Sequence, residues 1–209
     1  VQRIACAERL RDQLELAERG SYGISLPWPL VIDGLMQQAH SCALPIEFAG
    51  PTGESNTLRL EARGVMVCLA DAGASELASA VPVTAALLAG NAVLLAVSGE
   101  SAPAEALRRA LVAAGFPDQA LAVLGGLGHS ELAALIRDEA IAGVTSWQDQ
   151  ALALLASRAL AERDGAILPL IDDALGPAYL SRFCYEKTIS INTTAAGGNA
   201  ALMAGGDGE

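Results

Sequence analysis

Aromatic side chains are scarce in this 209-residue sequence, where phenylalanine, tryptophan and tyrosine together make up 4%. The core must therefore be packed from alanine, leucine and valine rather than from rings. Positive charge is also short. Lysine and arginine number 13 against 24 acids, a formal net charge of −11. That balance argues against nucleic acid and anionic membrane surfaces as partners, because both need a lysine and arginine face. No apolar run reaches the roughly 20 residues of a bilayer-spanning helix. The opening VQRIACAERLRDQL lacks the apolar stretch of a secretory leader. It starts on valine rather than methionine, so a piece of something longer is expected. The cysteines (Cys6, Cys42, Cys68, Cys184) form no C-x-x-C pair, so no metal site is expected. Scattered cysteines in an acidic, alanine-rich chain imply reduced thiols and a cytoplasmic location.

What the sequence does hold is apolar material, 52% of residues, ample for one large domain or a domain with an appendage. Residues 2–19 read as a helix of mixed charge. Residues 21–34 read as loop, with a short helix in 31–42, and 49–56 as a turn-rich break. From Arg59 the pattern becomes regular. Apolar strands are expected at 63–71, 91–98, 120–126, 140–147 and 166–173, and helices at 74–90, 101–115, 129–138 and 148–165. Ser101 is the expected N-cap of the second of these helices. Unbroken apolar strands alternating with helices imply a doubly wound α/β domain of Rossmann type, with a five-stranded parallel sheet covered on both faces. After 173 the alternation stops. Residues 174–209 read as a C-terminal β-arm or flap, and 1–58 as an N-terminal helical segment and linker.

Chemistry is hard to find along this chain. The first strand leads into a loop with a single glycine, Gly73. The run LGGLGHSE places Gly125, Gly126 and Gly128 between a strand and a helix, but not at G-x-G-x-x-G spacing, so a tight turn is favoured over a phosphate cradle. Cys68 falls inside a buried strand and reads as an inert core thiol. Cys184 lies beside Arg182 and Lys187, which could lower its pKa. His40 and His129 are the only histidines, neither close to it in sequence. Asp172 and Asp173 fall at the carboxyl edge of the sheet, where ligands usually bind, although strand-end acids facing water are the plainer reading. No constellation of these groups specifies a reaction.

The stretch GPTGESNTLRLEARGVMVCLA, then PVTAALLAGNAVLLA, EALRRALVAAGFPDQALAVLGG and EAIAGVTSW, resembles the cofactor-binding half of the aldehyde dehydrogenase superfamily over residues 50–173. The nearest resemblance is to the glutamate-semialdehyde dehydrogenase module of the bifunctional proline utilization A family. The tail RFCYEKTISINTTAAGGNAALM is similar to the C-terminal motif of that same family. The resemblance implies a parent enzyme that uses FAD to oxidise proline and NAD to oxidise glutamate semialdehyde. Departures from the family pattern imply that this segment performs neither step. The loop that carries an aldehyde-holding Asn in active members reads DAGAS. The ribose-gripping Lys is absent from the run Ala96, Val97, Ser98. The Phe-Thr-Gly-Ser turn reads VTSWQD, with Trp147 crowding the nicotinamide position. The general-base Glu falls near Asp173, and the domain with the nucleophilic Cys is absent.

The resemblance therefore implies no catalytic and no cofactor-binding residues here. It implies a non-catalytic assembly domain that packs on the active glutamate-semialdehyde dehydrogenase module of the same polypeptide and helps close a substrate-channelling tunnel. The alternative is an NAD-binding aldehyde dehydrogenase fragment with a rearranged site. Residues 188–203 are the expected interaction arm: Thr188, Ile189, Ile191, Asn192, Thr193 and Thr194 as an extended strand, Gly197 and Gly198 for close packing, Asn199 bonding the backbone locally, and Leu202 and Met203 in a short apolar patch. Self-association through this arm is a further possibility.

Overall fold

The computed structural model describes residues 2–17, 28–50, 53–71, 76–146, 149–172 and 176–192. In chain order they form helices α1 (Gln2–Ala17) and α2 (Trp28–Cys42), then strands β1 (Ile46–Phe48), β2 (Glu54–Ala62) and β3 (Val65–Ala70). Next come α3 (Glu76–Ala89), β4 (Ala92–Val97), α4 (Ala102–Ala113), β5 (Leu121–Leu124), α5 (His129–Arg137), β6 (Ile141–Ser146), α6 (Gln150–Ala161) and β7 (Leu170–Ile171). A 3-10 turn (Leu180–Phe183) leads into β8 (Cys184–Asn192).

Five strands make a parallel sheet in the order β5-β4-β3-β6-β7. The chain winds one way from β3 to β5, then returns past β3 to β6 and β7, which is the doubly wound Rossmann-like arrangement expected from the alternation. The period of two along each strand explains how the sheet is covered. Met66, Cys68 and Ala70 of β3, with Val93, Leu95 and Val97 of β4, face α1 to α4 in one core. Val67, Leu69 and Ala96, on the alternate positions, face α5 and α6 in the other. With few rings, the volume comes from Leu10, Ile32, Leu35, Leu111, Leu132 and Ile136, all fully buried. The described residues bury three rings in the first of these cores, Phe116, Tyr179 and Phe183, the last fully buried and edge-to-face with Tyr179 at 5.3 Å between centroids.

Several local expectations need correction. Helix α2 starts at Trp28, inside the span read as loop, because Pro29 falls in the first turn, where a missing N–H costs nothing. Strand β2 starts at Glu54, inside the span read as a turn-rich break; both its faces are half-exposed, so no apolar run announces it. The last strand covers only Leu170–Ile171. Pro169 cannot donate to a ladder and Ile167 is fully exposed, so the residues before them do not join the sheet. Ser101 occupies the N-cap position of α4 but makes no side-chain cap bond. Among the described residues no helix is long and apolar enough to cross a membrane.

Candidate functional site

The element that leaves the core is a second, three-stranded antiparallel sheet in the order β1-β2-β8. The arm expected to seek a partner already has one within the chain. All nine residues of β8 pair with β2, from Cys184 opposite Ala62 to Asn192 opposite Glu54. Thr188, Ile189, Ile191 and Asn192 lie on this strand, opposite Leu58, Thr57, Ser55 and Glu54. Thr193, Thr194, Gly197, Gly198, Asn199, Leu202 and Met203 fall outside the described residues. Among the described residues β8 has a strand neighbour on one side only, so its other edge presents backbone donors and acceptors.

The register sorts the flap into two faces. One begins at the core with Cys184 and Leu60 and continues outward through Leu58 and Ile46, then Phe48. Ile46 is 47% exposed and Phe48 51%, and Leu44 just before β1 is 66% exposed. Ile46 and Phe48, alternate residues of β1, form an apolar stripe with nothing over it among the described residues, and Leu44 lies next to its start in sequence. The opposite face carries Glu61, Tyr185, Lys187 and Arg59, then Ile189 and Ile191. The Tyr185 hydroxyl donates to Glu61 at 2.7 Å, and Lys187 Nζ lies 3.1 Å from the same carboxylate. The Tyr185 bond, then the Lys187 cation, hold the Glu61 carboxyl below its ordinary range, and the Tyr185 phenol is raised in return. These groups are exposed, so the cluster knits the two strands and stores little energy.

The carboxyl edge of the large sheet is the other place to look. The switch point lies between β3 and β6, and ligands of such sheets sit beyond the strand ends there. The residue just after β3 is Asp71, whose carboxylate accepts from the Ser98 hydroxyl at 2.6 Å. A carboxylate there repels an incoming phosphate. Ala96, expected near the place of a ribose-gripping Lys, is fully buried in the core that also holds Val67 and Leu132. Gly128 is the N-cap of α5, and its N–H donates to Glu131 at 2.7 Å, so an acid of the chain already occupies one donor of that turn. Gly73, Trp147 and Asp173 fall outside the described residues, and Asp172 is exposed.

The thiols and histidines do not meet as a catalytic pair. His40 and His129 are exposed. Burial pushes the Cys68 thiol far up. Cys184, 4% exposed, is pushed up to about 11, chiefly by burial and then by the nearby Cys42 thiol, against the pull of Arg63 and Arg3. This corrects the expectation that Arg182 and Lys187 lower it. Arg182 donates instead to the Leu170 carbonyl, and Lys187 to Glu61. Cys42 is raised by burial too. Among the described residues no group of three His, Cys, Asp or Glu could hold a metal ion.

Two amides missed by sequence reasoning organise this region. Gln38 clamps the approach to the 3-10 turn, donating to the Gly176 carbonyl at 3.0 Å and accepting from the Leu180 N–H at 2.8 Å. The cleft between α2 and that turn holds adjoining cavities of about 330 and 370 Å³, sharing Gly34, Gln38 and Pro177. Asn91 is 3% exposed and uses both ends of its amide. Its oxygen accepts from the N–H groups of Arg63 and Gly64 at 2.8 and 3.0 Å, and its nitrogen donates to the carbonyls of Ala86 and Phe183 at 3.1 and 2.9 Å. A polar residue between Gly90 and an apolar strand was the signal available.

Residues 32–148, more than half of the chain, match the model of the aldehyde dehydrogenase family. Over 156 residues the chain is 35% identical to the bifunctional protein PutA of Escherichia coli, an alignment covering 74% of this chain and 11% of that protein. A crystal structure of a proline utilization A mutant from Bradyrhizobium japonicum superposes with a TM-score of 0.68 at 32% identity, covering 81% of this chain and 19% of that one. Proline utilization A from Bdellovibrio bacteriovorus, at 20% identity and a TM-score of 0.64, shares the fold. The chain thus spans a small part of the length of the relatives it matches.

Proposed function

The chain belongs to the aldehyde dehydrogenase family, and from that premise we propose that it is a non-catalytic assembly domain of a longer proline utilization A polypeptide. In this reading the parent oxidises proline with FAD and glutamate semialdehyde with NAD in the cytoplasm. This domain does neither. It packs on the active glutamate-semialdehyde dehydrogenase module of the same polypeptide and helps close the tunnel through which the intermediate passes. The carrying observation is the flap, which presents an open β8 edge and the exposed stripe of Ile46 and Phe48. Strand addition draws its affinity from main-chain bonds, and an apolar stripe supplies the buried area. The chain needs no reactive group for either. Asp71 at the carboxyl edge and a buried Ala96 near the Lys position support the absence of NAD.

The experiment is truncation of the parent after Asn192, with the two half-reactions assayed separately. This cut leaves the β2–β8 pairing whole, whereas a cut before Thr188 would also unpair five residues of β2. The expected result is intact proline oxidation with reduced aldehyde oxidation and reduced coupled turnover. Unchanged rates in all three assays, in this truncation and in Phe48→Asp on the exposed stripe, would reject the assembly role proposed for the flap and the residues after it.

A further inference from the structure

Besides the link from α2 to β1 at 43–45, the chain passes between the core and the flap at two junctions. One is Arg63-Gly64, between β2 and β3, and the other is the Phe183-Cys184 junction, between the 3-10 turn and β8. A single buried side chain, Asn91, bonds to both, through its oxygen to the first and its nitrogen to the second. Its remaining donor goes to the Ala86 carbonyl on α3, so the clamp is anchored in the core. Two further bonds reinforce the same place. The Arg63 Nε donates to the Arg182 carbonyl at 3.0 Å, and the Arg182 guanidinium donates to Leu170 on β7 at 2.9 Å. The Ala92 N–H meets the Gly64 carbonyl at 3.0 Å, closing the turn from the other side. Gly90 makes the fit possible. Its φ of +97° suits only glycine, and a Cβ there would strike the Arg3 guanidinium.

We propose that Asn91 is a positioning residue that fixes the angle of the flap on the core, with Arg63 as its helper. A buried amide whose four bonds run to three separate segments has one geometry that satisfies it, so the two crossings cannot shift independently. Beyond Leu60 and Cys184 the flap has little apolar contact with the core. Its orientation is therefore set at the crossings rather than along its length. If the flap docks as proposed above, Asn91 presents the stripe and the open edge in register with the partner. That consequence rests on the proposed function, but the positioning role itself does not.

The test is hydrogen exchange on the 209-residue chain alone, which isolates it from any failure of docking. Asn91→Asp keeps the acceptor and removes both donors. Arg63→Met removes one supporting bond at a half-buried site and serves if Asn91→Asp does not fold. The expected result in each is exchange about tenfold faster in residues 54–62 and 184–192, with residues 92–97 within about twofold of the parent chain. Acceleration of flap and core together would make Asn91 an ordinary stability residue and overturn the proposal. So would unchanged flap exchange in the folded variants.

Discussion

Cutting the chain after Lys187 tests how the flap is attached. The cut removes the partners of Glu54, Ser55, Asn56, Thr57 and Leu58, five of the nine register pairs. An antiparallel ladder of that length carries about five backbone hydrogen bonds. At about 0.5–1.5 kcal/mol net each, the lost bonding is a few kcal/mol. Against it stands the ordering of the same residues, at about 1–2 kcal/mol apiece for the backbone. The terms nearly cancel, and little core is lost, because Thr188, Ser190, Ile191 and Asn192 are exposed. The thermal midpoint should therefore fall by less than about 4 °C, the shift that about 1–2 kcal/mol produces in a chain of this size. Local protection should fail instead. Arg59 pairs with Lys187, which becomes the frayed terminal residue, so trypsin should cut after Arg59 in the shortened chain and not in the whole one. A midpoint lowered by more than about 10 °C, a loss of several kcal/mol, would show that the outer flap is part of the core and refute the reasoning.

Further outcomes follow from the packing and the thiols. Titration calorimetry should detect no NAD binding; a micromolar dissociation constant would need about 8 kcal/mol of interactions that Asp71 and the buried Ala96 do not supply. Phe183→Ala should cost about 3–5 kcal/mol in urea unfolding, because the ring is fully buried against Tyr179, and a loss below about 1 kcal/mol would contradict that packing. Gly90→Ala and Gly165→Ala should both lower the thermal midpoint, because each glycine has a positive φ that strains a side chain and the Arg3 guanidinium beside Gly90 can swing aside; an unchanged midpoint in either would refute this. Cys184 is neutral in the fold up to about 11, above the 9.0 of an unperturbed thiol. Its contribution is therefore complete below about pH 9 and lost as pH rises toward 11, an alkaline fall that Cys184→Ala should lessen, with the rest belonging to the buried Cys68 and to Cys42. An unchanged alkaline limb would remove Cys184 from that account.

Much of the large sheet was legible because its strands are unbroken apolar runs. β3 and β4 are buried on both faces, and helices of amphipathic or apolar character separate the strands. The flap was legible only in part. Alternating β-branched residues at 188–192 betrayed a strand, but its mate β2 is half polar on both faces and follows a stretch rich in Gly and Pro. The pairing that joins them spans more than 120 residues of sequence, as between Glu61 and Tyr185 at a separation of 124. No local pattern encodes such a contact. The Asn91 clamp was hidden for the same reason, since its partners at 63, 64, 86 and 183 come together only in the fold. The expected pull of Lys187 on Cys184 failed through the same periodicity. Three residues apart on a strand, the two side chains point to opposite faces.

The central claim is that this chain works by docking and not by chemistry. The direct measurement mixes the separately expressed 209-residue chain with the remainder of its parent polypeptide, then follows association by sedimentation and glutamate-semialdehyde oxidation by NADH formation. The account predicts no turnover by the chain alone, a stable complex on mixing, and aldehyde oxidation raised in the complex while proline oxidation is unchanged. Loss of both the complex and the gain in Phe48→Asp would locate the contact on the exposed stripe. Turnover by the chain alone, or no complex and no change in aldehyde oxidation on mixing, would contradict it.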